Sequence, residues 1–141
     1  LNLNQKIYKR FYKFNDFQFV MIQPDGTEEL TNQLKNELKK GTNTDLVNWS
    51  FVTISDQNIL NVFQSLKTDF NLDLNLGTPY VFIIDRDGKL RGRDDNEDTK
   101  YGYDSRSVAD INNNMVDDVK VILAEYRMAL KKNNIYKDQL K

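Results

Sequence analysis

Apolar residues at Leu3, Ile7, Phe11 and Phe14 recur at helical spacing, so residues 3–14 are predicted as an amphipathic helix. The pattern then changes period. Phe17 to Ile22 is a short apolar run rich in β-formers, stopped by Pro24-Asp25-Gly26, and reads as a buried strand. Asp25 or Thr27 can cap the next helix, over about 28–40. Glu28 and Glu29 lie in its first turn, Lys39 and Lys40 in its last, and Leu30, Leu34 and Leu38 form its inner stripe. Trp49 to Ile54 is the second strand. Ser55 caps a helix of about 56–68 whose inward positions are Ile59, Leu60, Phe63 and Leu66. Residues 69–76 alternate Asn and Asp with Phe and Leu, as an irregular connection or a short edge strand does. Tyr80 to Ile84 is the most hydrophobic strand. Asp85-Arg86-Asp87-Gly88 turns it into a second strand over 89–93, giving an antiparallel hairpin. Ser107, with Asp110 three residues on, resembles a capping box and opens a long helix over about 108–132. Its apolar face runs through Ile111, Met115, Val119, Ile122, Tyr126 and Leu130.

The resulting order, α-β-α-β-α-β-β-α, predicts an α/β fold with parallel strands joined by helices and an antiparallel hairpin at one edge. At 141 residues the chain is expected to form one domain, 1–141, with no linker or internal repeat. A polar acidic loop is expected over 94–106 and a polar tail over 133–141.

Composition removes several kinds of chemistry. There is no Cys and no His, so thiol redox catalysis, Ser-His-Asp or Cys-His catalysis and Cys/His zinc sites are excluded for these residues. A metal would have to be held by oxygen ligands, which favours calcium or magnesium. A formal net charge of −1 supplies no basic field for nucleic acid, and no apolar run approaches the ~20 residues that cross a bilayer.

The run Gly77-Thr78-Pro79-Tyr80-Val81-Phe82-Ile83-Ile84-Asp85-Arg86-Asp87-Gly88, followed by a strand and a closing helix, resembles the thioredoxin superfamily. Within it the chain is most similar to the Sco/SenC family of copper chaperones and thiol reductases that serve cytochrome oxidase assembly. The similar segments are Phe17 to Asp25, Trp49 to Ile54, Asp56 to Leu66 and Ile83 to Gly92, and the likeness spans residues 3 to about 130. It implies a three-layer thioredoxin-like fold with a mixed sheet. It also implies a cis Thr78–Pro79 bond, in a loop Gly77, Thr78, Pro79, Tyr80 that faces a partner. A trans bond there, or unpaired strands at Tyr80 and Leu90, would break the superfamily assignment. The family binds copper through a Cys pair and one His. The position resembling that His is Gly77, and the Cys pair would precede Leu1, so no copper site can be completed here. The superfamily's first central strand would precede Leu1 as well. That predicts that Leu1 is not the native start, or that a partner supplies a strand, because a gap in the sheet leaves backbone groups unpaired.

Other constellations have plainer readings. Asp94, Asp95, Asn96, Glu97 and Asp98, with Asp85 and Asp87 near in sequence, offer oxygen ligands but lack EF-hand spacing, and a solvated loop is favoured. Tyr8, Phe11, Tyr12, Phe14, Phe17 and Phe19 interleave with Lys6, Lys9, Arg10 and Lys13. A packed helix with a charged outer face is favoured over a membrane-touching surface. Tyr101 and Tyr103 are balanced between an interface hot spot and packing on the last helix. The expectation is therefore a domain without catalytic residues, cofactor or metal that acts as a binding or assembly component. The resemblance implies a protein partner such as a respiratory membrane complex, on the periplasmic side of the inner membrane. The alternative is a thiol-disulfide oxidoreductase or copper chaperone whose Cys pair lies upstream.

Overall fold

A computed structural model describes residues 3–14, 17–42, 46–93 and 101–139. It is a mixed α/β arrangement with small sheets. Helix α1 begins as a π-turn, Asn4–Tyr8, and ends as a single α-turn, Lys9–Phe11. Strand β1 (Phe19–Pro24) leads through α2 (Glu28–Thr42) to β2 (Trp49–Ile54), and α3 (Asp56–Ser65) follows. Four two-residue strands come next: β3 (Tyr80–Val81), β4 (Ile83–Ile84), β5 (Leu90–Arg91) and β6 (Tyr103–Asp104). A π-turn, Asp110–Met115, then runs into the long helix α4 (Val116–Gln139).

The best-formed pairing is β1 with β2, parallel and in register from Phe19 opposite Trp49 to Pro24 opposite Ile54. The expected hairpin forms where Ile83 pairs with Arg91 and Ile84 with Leu90, antiparallel. Gly88, at φ +79°, makes its turn at a backbone angle that side chains rarely adopt. The predicted strand over 80–84 is broken at Phe82. Its first half pairs instead with β6, Tyr80 opposite Asp104 and Val81 opposite Tyr103. Strand β6 lies inside the segment expected to be a polar loop, residues 94–106. It forms because the chain returns beside Arg93, where the Tyr101 N–H donates to the Arg93 carbonyl at 2.8 Å. The acidic residues 94–98 lie outside the described residues.

The core gathers on one side of these strands: Ile7, Phe11, Tyr103, Ile111, Met115, Val116 and Val119 are buried together, with Phe17, Phe19, Val81, Ile83 and Leu123 packed against them. The predicted faces of α1, α3 and the closing helix are those that turn inward, although Leu130 at the far end is exposed. The stripe of α2 is corrected. Leu30 is 64% exposed, and its place is taken by Thr31, whose hydroxyl bonds Gln23 and the Thr27 carbonyl; a buried hydroxyl is tolerated when it is so paired. Residues 69–76 are irregular, with Leu74 fully exposed. The helix predicted to stop near 132 continues to Gln139 through the polar segment assigned to a tail.

Candidate functional site

The Thr78–Pro79 bond is trans: no cis peptide bond occurs among the described residues. This corrects the cis loop implied by the resemblance. In place of that geometry, Gly77 to Tyr80 is tied into its surroundings. Asp73 Oδ1 accepts from the Gly77 N–H at 2.9 Å, and the Pro79 carbonyl accepts from the Ser105 N–H at 3.0 Å and its hydroxyl at 2.5 Å. The Tyr80 ring lies 4.2 Å from that of Phe70. Pro79 thus opens a short strand, a place where its missing N–H costs nothing, and trans is the form ordinarily favoured, by about 0.5–1 kcal/mol. The four loop residues are half-buried and their polar groups serve the fold.

Tyr103 also resolves toward structure. It is 2% exposed, and its hydroxyl donates to Asp118 Oδ2 at 2.6 Å. Burial, then the hydrogen bond and charge of Asp118, push its pKa upward, so the phenol stays a proton donor. Arg93 Nε meets both Asp118 oxygens at 3.0 Å, pinning the segment that follows β5 to α4. Gly92, between these residues at φ +146°, would bring a Cβ to 3.1 Å from the Tyr103 hydroxyl, so the clasp closes only over glycine. In α1, Tyr8 is fully buried and Phe11 nearly so, while Lys6, Lys9 and Arg10 are exposed, which is the packed-helix arrangement.

A groove of about 720 Å³ lies between β1 and β4, floored by α4. Phe17, Gln18 and Phe19 form one wall and Phe82, Ile83 and Ile84 the other, over Met115, Val119, Ile122 and Leu123. Its charged groups collect at one end. There Arg91 Nη2 reaches Glu125 at 2.9 Å and Nη1 reaches Asp85 at 3.5 Å, and Arg86 donates to the Tyr126 hydroxyl at 2.6 Å while lying over that ring. Asp85 Oδ1 accepts from the N–H groups of Asp87 and Lys89, both at 2.9 Å. The Lys89 bond first, then those of Asp87 and Arg91, hold the Asp85 carboxyl below its ordinary pKa. A general acid needs the opposite shift, so Asp85 is an ionised turn-former rather than a proton donor. Among the described residues, no three carboxylates gather to hold a metal.

A second cavity of about 400 Å³ lies between α3 and the 69–76 connection. The Thr68 hydroxyl, buried there, lacks a hydrogen-bond partner. No helix among the described residues is long and apolar enough to cross a membrane. No protein-family model, curated protein or solved structure matches the chain. The groove was foreseeable only as a gap in strand order. Its floor was legible in the apolar face of the last helix, but the edges that wall it are set by which strands pair.

Proposed function

We propose that this chain is a non-catalytic binding domain, an accessory or assembly component that docks on a protein partner. One observation carries the reading: the groove between β1 and β4 has an apolar floor and largely apolar walls, while at its end Arg91 is paired with Asp85 and Glu125 and Arg86 is bonded to the Tyr126 hydroxyl. Such a site offers contact area and no activated nucleophile, acid or base.

In its narrower form the proposal is a Sco/SenC-like thioredoxin-fold domain beside a respiratory membrane complex, on the periplasmic side of the inner membrane. Two features support it: the sequence resemblance, and the β1-α2-β2 unit followed by a hairpin and a long helix. The trans bond before Pro79 meets the condition stated above for breaking the superfamily assignment, even though β4 pairs with β5, so this narrower form rests on the similar segments and the element order alone. The general binding reading does not depend on either.

The test is the intact mass of the natively purified protein before and after thiol alkylation. A protein that takes up no alkyl group is the expected result. A mass well above 16.6 kDa that gains two alkyl groups would replace this reading with a thiol-disulfide oxidoreductase or copper chaperone.

A further inference from the structure

Among the described residues, strand β1 is paired on one side only. The Phe19 N–H donates to the Asn48 carbonyl at 2.7 Å, and in a parallel ladder alternate residues point their backbone groups to opposite sides. Phe19, Met21 and Gln23 therefore serve β2, and the N–H and C=O groups of Val20 and Ile22 point the other way. The second wall behaves alike. The Asp85 N–H bonds the Lys89 carbonyl, so the alternation sends the backbone groups of Ile84 away from β5. Neither β1 nor β4 has a second strand neighbour among the described residues, and the groove lies between them.

We propose that this groove takes an extended, uncharged polypeptide strand supplied by a partner chain, which pairs with β1, β4 or both and completes the sheet. This rests on the binding reading above and names the kind of partner. Rows of backbone donors and acceptors are matched by another backbone, whereas a compact small molecule satisfies one or two of them. The occupant's side chains are specified as well. Those turned toward α4 meet Met115, Val119 and Ile122; those turned the other way lie on the face where Val20, Ile22 and Val52 are left 54%, 39% and 39% exposed. Apolar contact on both faces calls for a continuous run of valine, isoleucine or aromatic residues, the pattern of a strand buried on both sides. Charge is matched only at the end where Arg91, Asp85 and Glu125 sit, so the body of the strand must be neutral. A second copy of this chain fits poorly. Each described strand is held in its own pair, and none is free to enter a concave groove.

The probe is a lysine-flanked peptide with a run of about six valine and isoleucine residues, the length that matches β1. Its control has proline at alternate positions of the run. Both are added to the 141-residue chain while amide hydrogen exchange is followed residue by residue. The first peptide should slow exchange at Val20, Ile22 and Ile84 at least tenfold, and the proline peptide should not. Val119→Lys in the floor should weaken binding at least tenfold. Ile122→Lys, at a half-buried position, gives the same reading if Val119→Lys does not fold. Equal response to both peptides, or none, would overturn the proposal. So would groove amides already protected in the free monomer, or protected by self-association alone. Failure here leaves the non-catalytic reading standing, and because the peptide is added to the 141-residue chain, which has no Cys, its result does not depend on thiols found in the natively purified protein, so the two experiments fail separately.

Discussion

The two halves of the molecule are held together by different means. From Phe19 to Ile54, backbone does most of the work: β1 and β2 pair over six residues in unbroken register, while Val20, Ile22 and Val52 stay substantially exposed on one face. From Tyr80 to Asp104 the backbone pairs only two residues at a time, and side chains supply the rest. Arg93 and Tyr103 converge on Asp118, Arg91 spans Glu125 and Asp85, and the buried core lies beneath. A regular ladder thus coexists with an incomplete covering layer, and a broken one with a nearly complete core. Each half has one strand, β1 or β4, with an edge unpaired among the described residues, and both strands line the groove, so backbone demand concentrates at their junction rather than inside either.

The sharpest way to break this contrast is to remove core from beneath the hairpin half. Ile111 is fully buried, so Ile111→Ala should cost about 2–5 kcal/mol in denaturant unfolding. Val20→Ala, on the exposed face of β1, should cost far less, and equal losses would dissolve the contrast. Tyr103→Phe comes next. It deletes a donor to a carboxylate and should cost about 1.5–3 kcal/mol. It should also change the alkaline limb of stability. Because folding raises the Tyr103 pKa, the protonated phenol's contribution is complete below its unfolded pKa of about 10 and fades as pH climbs above it. Thermal melts of Tyr103→Phe should therefore lose part of the wild-type decline above that pH. Ser55→Ala removes the hydroxyl that accepts from the Asn58 N–H at the start of α3 and should cost about 1 kcal/mol. The smallest effect belongs to the partly exposed clamp: Arg91→Ala should cost about 0.2–1 kcal/mol and less in high salt.

At acid pH the sign reverses. Asp85 and Asp104 have folded pKa values below their ordinary ones, held down foremost by the Lys89 N–H and by the Arg106 side chain respectively. Their contribution is complete above the unfolded carboxylate pKa of about 3.9 and is lost as pH falls through the lowered folded values. Asp85→Asn should remove its share of that acid-limb decline.

What was legible in the sequence follows the same division. The six-residue strands, the helices between them and the inward faces of α1 and α3 are local patterns of apolar spacing, and they are readable because burial and periodicity agree there. The break at Phe82 and the pairing of β3 with β6 were hidden, since they depend on a return of the chain beside Arg93 that no local pattern encodes. Tyr103 illustrates the limit for side chains: in sequence it is one of two tyrosines in a polar stretch, and only the approach of Asp118 buries it. Leu30 shows the converse, an apolar residue at helical spacing whose place in the core went to a hydrogen-bonded threonine.

The central claim is that β1 has one satisfied edge and one open edge. Residue-resolved amide hydrogen exchange on the free monomer tests it most directly. The structure predicts an alternation along β1, with slow exchange at Phe19, Met21 and Gln23, which bond β2, and fast exchange at Val20 and Ile22, whose N–H groups point away from β2. Uniformly slow exchange along the strand would mean that both edges are paired, and would contradict the account.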